Sequence, residues 1–93
     1  MFSTYIIYSQ KMDSYYIGHC NNLPDRLKRH NGNRNKYTKN KGPWTIVFQK
    51  DFAIRSEAIA LERKLKSFKN RTYLENWIRI NSGLKHPDLQ SGS

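Results

Sequence analysis

The feature that most constrains the fold is a pair of short β-rich runs near the N-terminus. Residues 4–8 (TYIIY) and 15–19 (YYIGH) are built mostly from β-branched and aromatic residues, which are enriched in strands. The polar segment SQKMDS between them has the length of a hairpin connection. We therefore expect the chain to open with two antiparallel strands.

Capping residues predict a helix directly after this hairpin. Asn21 and Asn22 are both suitable N-caps, Pro24 suits a first helical turn, and Gly32 suits a helix end. These signals predict a helix of about two turns over residues 23–31. The strand pattern therefore leads into a short helix through very few residues.

A basic loop and a third strand are expected next. Residues 32–43 have no apolar period and end in Gly-Pro, which predicts an exposed loop. Residues 44–52 (WTIVFQKDF) resume a strand pattern, in which Ile46, Phe48 and Trp44 are expected to share one face.

Two more helices complete the predicted architecture. Ser56 is the expected N-cap of the second helix, and the third is expected over residues 71–80. The fold class is therefore α+β, a small three-stranded antiparallel sheet flanked by about three α-helices. We expect one domain over residues 1–82 and a flexible polar tail over residues 83–93.

Charge indicates a polyanionic partner. The formal net charge is +10, and residues 26–50 contain no Asp or Glu. A basic surface of this strength is typical of proteins that bind nucleic acid. An anionic membrane or ribosomal RNA would satisfy the charge equally well, and a merely solvated basic surface is the plain alternative.

The single cysteine and the lack of long apolar runs exclude several classes of protein. Cys20 is the only cysteine, which excludes an intramolecular disulfide and leaves a structural zinc site unsupported. No apolar run has membrane-spanning length, and the N-terminus lacks a signal-peptide pattern. We expect a cytoplasmic, nucleoid-associated protein with no membrane partner.

The motifs, taken in order, resemble the GIY-YIG nuclease superfamily. TYIIY, YYIGH, NLPDRLKRHN and SEAIALERKLK follow one another as that family's motifs do, from about residue 3 to about residue 80. Residues 16–18 are an intact Tyr-Ile-Gly, whereas Ser3 and Thr4 depart from the Gly-Ile of the other motif. The likeness is to small stand-alone bacterial members.

The resemblance implies a metal-dependent endonuclease that hydrolyses DNA phosphodiester bonds. The implied catalytic residues are Tyr5, Tyr16, Arg26, His30 and Glu62. Glu62 would hold one divalent ion, Mg²⁺ or Mn²⁺, and Arg26 would neutralise charge on the phosphate. Tyr16 is the first choice of general base, with Tyr5 and His30 left open as alternatives.

The same residues have ordinary structural interpretations. Tyr5 and Tyr16 would serve equally as core tyrosines, and Arg26 and His30 as part of a solvated basic helix. Glu62 is spaced for a salt bridge with Lys66. The combined match favours the nuclease, because each ordinary interpretation would have to hold independently at every motif.

Basic and aromatic residues are the predicted contacts to nucleic acid. These are His19, Lys28, Arg29, Arg34, Lys36, Tyr37 and Lys39. Phosphate contacts carry no sequence information, so we expect structured or single-stranded DNA, as met in DNA repair or recombination, rather than a sequence-specific duplex. A dimer or a protein partner stays open. The alternatives are a non-catalytic basic nucleic-acid-binding module and a structural protein of a ribonucleoprotein.

Overall fold

A computed structural model describes residues 1–33 and 35–82, and the predicted tail at 83–93 lies outside the described residues. The elements are β1 (Phe2–Ser9), β2 (Ser14–Cys20), α1 (Leu23–Asn31), β3 (Trp44–Phe52), α2 (Arg55–Lys66) and α3 (Arg71–Asn81). The predicted α+β class, with a three-stranded antiparallel sheet and three helices, is confirmed.

The central strand is β1, and β2 forms one edge of the sheet. The strand order is β2-β1-β3 with both pairs antiparallel. In the β1–β2 ladder Tyr5 pairs with Gly18, and Ile7 pairs with Tyr16. The two motif tyrosines therefore lie on adjacent strands, Tyr5 on the central strand and Tyr16 on the edge strand, offset by two positions in the ladder.

Helices cover both faces of the sheet. On one face Tyr5, Ile7 and Trp44 pack with Leu23 of α1. On the other face the buried cluster combines strand residues with residues of α2 and α3: Ile6, Phe48, Leu65 and Leu74. Each face thus buries its own apolar cluster, and the edge strand β2 lies between the two layers of helices.

The prediction that Trp44, Ile46 and Phe48 share one face of β3 is wrong. Trp44 belongs to the cluster beneath α1, whereas Phe48 belongs to the cluster beneath α2 and α3. The cause is a register shift: Ile6 pairs with Phe48 but Ile7 pairs with Ile46, so one residue of β3 has no counterpart. Such a bulge reverses the alternation of side chains along the strand, and Ile46 is 39% exposed.

Local capping signals account for α1 and α3. The Asn22 side chain caps α1 by accepting a hydrogen bond from the Asp25 backbone N–H at 3.1 Å. Asn70 caps α3 in the same way, accepting from the Tyr73 N–H at 2.8 Å. A side-chain oxygen at the N-cap satisfies one of the unpaired N–H groups of the first turn.

The predicted N-cap of α2 is wrong. The helix begins at Arg55 with Ile54 as N-cap and no side-chain capping bond, so Ser56 lies within the first turn. A tertiary contact anchors this end instead. The buried hydroxyl of Thr4 donates to the Ala58 carbonyl at 2.7 Å and ties α2 to the central strand.

Candidate active site

A buried chain of hydrogen bonds runs from the central strand to the loop after α1. The Tyr5 hydroxyl lies 2.9 Å from Nε2 of His30, and Nδ1 of His30 lies 2.8 Å from the Thr38 hydroxyl. Tyr5 is 1% exposed, and His30 and Thr38 are 0% exposed. These three side chains form a polar unit beside the apolar cluster of Tyr5, Ile7, Cys20, Leu23 and Trp44.

Three different segments position this unit. Tyr5 points from β1 toward α1, and His30 lies in the last turn of α1. The loop that carries Thr38 is held by Trp44, whose indole N–H donates to the Thr38 carbonyl at 3.3 Å. The loop was predicted to be exposed, and that prediction missed the burial of Thr38. A lone threonine among basic residues offers no sequence signal of it.

Tyr16 lies against this unit. Its ring centroid is 4.9 Å from that of His30 and 6.4 Å from that of Tyr5. Tyr16 is only partly buried, unlike Tyr5. The two motif tyrosines and His30 therefore meet, and Tyr16 is the more accessible of the two tyrosines.

Gly18 provides the space that the Tyr5 hydroxyl occupies. A Cβ atom at position 18 would lie 2.7 Å from the Tyr5 hydroxyl oxygen and 3.2 Å from a ring carbon of Tyr16. The contact with the Tyr5 hydroxyl is too short for a real Cβ atom and the contact with Tyr16 is tight, so a larger residue at position 18 would have to displace the Tyr5 ring. The glycine of the motif is therefore explained by the close approach of both tyrosines.

Burial and charge set the protonation of the buried unit. Burial raises the pKa of the Tyr5 hydroxyl above its ordinary value of 10.0, and the charge of Arg26 opposes that rise. Burial also lowers the pKa of His30, and Arg26 lowers it further. At neutral pH Tyr5 is therefore a protonated phenol and His30 a neutral imidazole.

Arg26 lies one turn before His30 on α1 and is partly exposed. Its charge acts on both Tyr5 and His30. The guanidinium is thus at the boundary between the buried unit and solvent, where an anion could reach it.

Glu62 approaches from α2 on the opposite face. One of its oxygens bonds Nδ1 of His19, and the other accepts from Lys66 Nζ at 2.6 Å. Burial raises the pKa of Glu62, but the hydrogen bonds from Lys66 and His19 outweigh burial and hold that pKa below its usual range. The carboxylate also raises the pKa of Tyr5, so the two groups interact electrostatically across the edge of the sheet.

The sequence placed His19 among the nucleic-acid contacts, and the structure places it against Glu62. His19 follows Gly18 on β2, and its side chain is 27% exposed beside a Glu62 side chain that is 14% exposed. The expected salt bridge between Glu62 and Lys66 is also present. Glu62 is therefore held from two sides.

The other predicted nucleic-acid contacts lie on the surface. Those within the described residues are all exposed: Lys28, Arg29, Lys36, Tyr37 and Lys39. Arg34 lies outside the described residues. Arg29 pairs with Asp25 at 3.3 Å, a surface ion pair of little energetic weight. These residues belong to α1 and the loop that follows it.

A second basic surface lies on the other side of Tyr16 and was missed by the sequence analysis. A cleft of about 450 Å³ runs between β2, the end of α2 and the start of α3. Its lining includes Tyr16, Lys66, Lys69 and Arg71 and no carboxylate. Two of these cations are already ion-paired, Lys66 with Glu62 and Arg71 with Asp13 and Glu75. We call it the α2–α3 cleft. Its cations lie in residues 66–71, the end of α2 and its connection to α3, and only the packing of this connection against β2 brings them beside Tyr16.

The oxygen donors present fit one hard divalent cation rather than a protein-built metal cage. The described residues contain no group of three or more His, Cys, Asp or Glu side chains placed to bind a metal. Glu62 is an ionised, partly buried carboxylate, and Mg²⁺ commonly uses one or two carboxylates while keeping several waters. A dense carboxylate cluster of the two-metal type is absent from residues 1–33 and 35–82.

No helix within residues 1–33 and 35–82 has the length and apolar character needed to cross a bilayer.

Comparison with known proteins identifies the family. The family model described as the GIY-YIG catalytic domain matches residues 1–75. The UPF0213 protein YazA of Bacillus subtilis is 38% identical over 69 residues, which cover 70% of each chain. A UPF0213 protein of Staphylococcus haemolyticus is 35% identical over 66 residues, covering 70% of this chain and 80% of the relative.

A solved structure agrees with this assignment. The solution NMR structure of a UPF0213 protein from Bacillus halodurans is similar with a TM-score of 0.58 and 27% identity, covering 89% of this chain and 88% of that chain. Members of the superfamily are nucleases that generally use a divalent metal ion. The chain therefore belongs to the GIY-YIG nuclease superfamily, with the UPF0213 proteins as its relatives.

Proposed function

We propose that this protein is a metal-dependent endonuclease that hydrolyses phosphodiester bonds of DNA and selects substrates by structure or lesion. The observation that carries the proposal is the meeting of Tyr5, Tyr16 and His30 beside the Arg26 charge, with the Glu62 carboxylate within electrostatic range. A purely structural role would not need an arginine and an ionised carboxylate whose charges both act on the same buried tyrosine. Repair or recombination of DNA in the cytoplasm, near the nucleoid, is the setting that we propose.

Two residues would act on the phosphate. Arg26 would neutralise charge that develops on the non-bridging oxygens during attack. Its planar guanidinium is suited to bidentate contact with a phosphate. Glu62 would hold Mg²⁺ or Mn²⁺, which when bound supplies positive charge for the scissile phosphate and the leaving oxygen. Because Lys66 and His19 already bond this carboxylate, it is oriented and ionised before any substrate arrives.

Attack by water requires a proton acceptor, and Tyr16 is the one that we propose. Tyr16 is accessible, whereas Tyr5 is buried with its hydroxyl already bonded to His30. With its hydroxyl deprotonated, Tyr16 would receive a proton from the attacking water, and the water oxygen would form a bond to phosphorus. The bond to the leaving oxygen would break, and that oxygen would depart with the electron pair as an alkoxide. Tyr5 with His30 as the final acceptor is the alternative, since Nε2 of His30 lies 2.9 Å from the Tyr5 hydroxyl.

Cations on both sides of the edge strand support a path for one DNA strand. Lys36, Tyr37 and Lys39 would contact it on the α1 side, and Lys66 and Lys69 would contact it in the α2–α3 cleft. Contacts of this kind go to phosphates and stack on bases without reading sequence. They support selectivity for single-stranded or structured DNA.

The proposal is tested by cleavage of labelled single-stranded, duplex, nicked, flapped, branched and abasic DNA with Mg²⁺ or Mn²⁺. The wild type is compared with Glu62→Gln, and Glu57→Gln is the matched control, because Glu57 is an exposed glutamate of the same helix. We expect metal-dependent cutting that Glu62→Gln loses and Glu57→Gln keeps. Binding without cutting by all three proteins would instead support a non-catalytic nucleic-acid-binding module.

A further inference from the structure

Among the described residues of the basic loop (residues 32–33 and 35–43), Thr38 is the one whose side chain bonds His30 in the candidate site. Its neighbours on each side, Tyr37 and Lys39, are exposed, whereas Thr38 is completely buried. Its hydroxyl lies 2.8 Å from Nδ1 of His30, and its carbonyl accepts from the Trp44 indole at 3.3 Å. The side chain therefore faces the imidazole while the backbone is fixed by a separate bond.

A neutral imidazole carries one donor and one acceptor, so its two partners cannot play the same role. Either Tyr5 donates to Nε2 and Nδ1–H donates to Thr38, or Thr38 donates to Nδ1 and Nε2–H donates to Tyr5. Among the described residues each arrangement leaves one hydroxyl hydrogen without a partner. A phenol is a stronger acid than an alkyl hydroxyl and hence the stronger donor, so leaving the phenol unpaired costs more.

We propose that Thr38 is a positioning residue that fixes His30 as the Nδ1-protonated tautomer, by accepting a hydrogen bond from Nδ1–H. Nε2 of His30 is then the acceptor for the Tyr5 hydroxyl, and the ring is held in the orientation that packs against Tyr16. The same bond links the loop that carries Lys36 and Lys39 to the centre of the site. A shift of the loop therefore changes the partners of His30.

The tautomer of His30 is a property of the protein alone, so NMR can measure it without any substrate. Long-range proton–nitrogen spectra of the imidazole rings distinguish the two tautomers, and a His30→Gln sample assigns the His30 signals. We expect the wild type to show the Nδ1–H form. An Nε2–H form in the wild type would overturn the proposal, even if every Thr38 variant failed to fold.

Two substitutions separate the effect of the Thr38 hydroxyl from the effect of the shape of the side chain. Thr38→Val keeps the shape of the side chain and removes the acceptor, so the His30 signals should move toward the Nε2–H form that free histidine prefers. Thr38→Ser keeps a hydroxyl and should keep the wild-type spectrum. A Thr38→Val protein that folds and retains the wild-type tautomer would show that Thr38 does not set it.

The catalytic consequence rests on the proposed nuclease function. For a DNA substrate that the wild type cleaves, Thr38→Val should lower kcat by about tenfold or more with little change in KM, since it disturbs an oriented group rather than a binding contact. Thr38→Ser should restore most of the rate. Equal kcat in Thr38→Val and wild type would contradict the positioning role. Absence of cleavage by the wild type would instead refute the nuclease and leave the tautomer result standing.

Discussion

Gly18 lies directly opposite Tyr5 in the β1–β2 ladder, and a Cβ atom at position 18 would come within 2.7 Å of the Tyr5 hydroxyl oxygen. The Tyr5 hydroxyl in turn lies 2.9 Å from His30. The smallest residue of the motif thus determines whether the buried unit of Tyr5, His30 and Thr38 can assemble.

Gly18→Ala is expected to lower both stability and activity. The added methyl group must displace the Tyr5 ring from His30, and overpacking of this kind costs about 1–3 kcal/mol. Urea unfolding measures the free energy, and cleavage of the best DNA substrate measures the activity. Ser14→Ala on the same strand is the control and should stay within about 0.5 kcal/mol of wild type. A fully stable, fully active Gly18→Ala protein would show that the close approach of Gly18 and the Tyr5 ring affects neither stability nor activity.

The two motif tyrosines should differ in their effects on stability. Tyr5→Phe leaves the buried Nε2 of His30 without its hydrogen bond, which costs about 1–3 kcal/mol. Tyr16→Phe should cost less, because the Tyr16 hydroxyl makes no hydrogen bond within the described residues and the side chain is partly exposed. Urea unfolding of both variants makes the comparison, and a greater loss in Tyr16→Phe would contradict it.

The same two variants should separate the chemical roles through the dependence of rate on pH. Loss of the general base should remove the rise of rate with pH, whereas loss of a positioning group should lower the rate at every pH. We expect the first behaviour from Tyr16→Phe and the second from Tyr5→Phe. The reverse result would assign the base to Tyr5, with His30 receiving its proton.

His30 should make the fold sensitive to acid. Burial, with a further contribution from Arg26, lowers the pKa of His30 below its ordinary 6.5, so the unfolded chain binds a proton that the folded protein excludes. Stability should therefore be constant above about pH 7, and fall as the pH drops from 6.5 toward the folded pKa of His30. The groups that face the ring are Tyr5, Thr38, Tyr16 and Arg26.

Urea unfolding between pH 5 and pH 8 measures this dependence, and His30→Gln is the comparison because it removes the imidazole and keeps hydrogen-bonding groups. The variant should be less stable near neutral pH and should lose much of the decline below pH 6.5. An identical decline in both proteins would show that His30 does not cause it.

Substitution of Lys69 tests whether a DNA strand binds in the α2–α3 cleft. Lys69→Ala should weaken binding of single-stranded DNA several-fold in the presence of a chelator, and lower the salt dependence of binding by about one charge. Lys64→Ala is the matched control, since Lys64 is also an exposed lysine but lines a different cavity. Equal loss from both lysines would indicate general electrostatics rather than a strand in this cleft.

Much of the fold follows from local sequence signals. The bounds of α1 agree with the prediction because Asn22, Pro24 and Gly32 act through their own backbone and its immediate neighbours. The strands agree for a similar reason, since β-branched and aromatic runs favour an extended backbone wherever they lie. The motif spacing was likewise enough to identify the nuclease superfamily.

What the sequence by itself determined is therefore the identity of the elements, their order and the family. Only the tertiary structure decided which face Trp44 and Phe48 occupy, that Thr38 is buried on His30, and that His19 bonds Glu62. The reason is physical. A cap or a strand run is decided by interactions between neighbouring residues, whereas a bulge in β3, a docked loop and an ion pair between distant elements depend on how separate segments pack together.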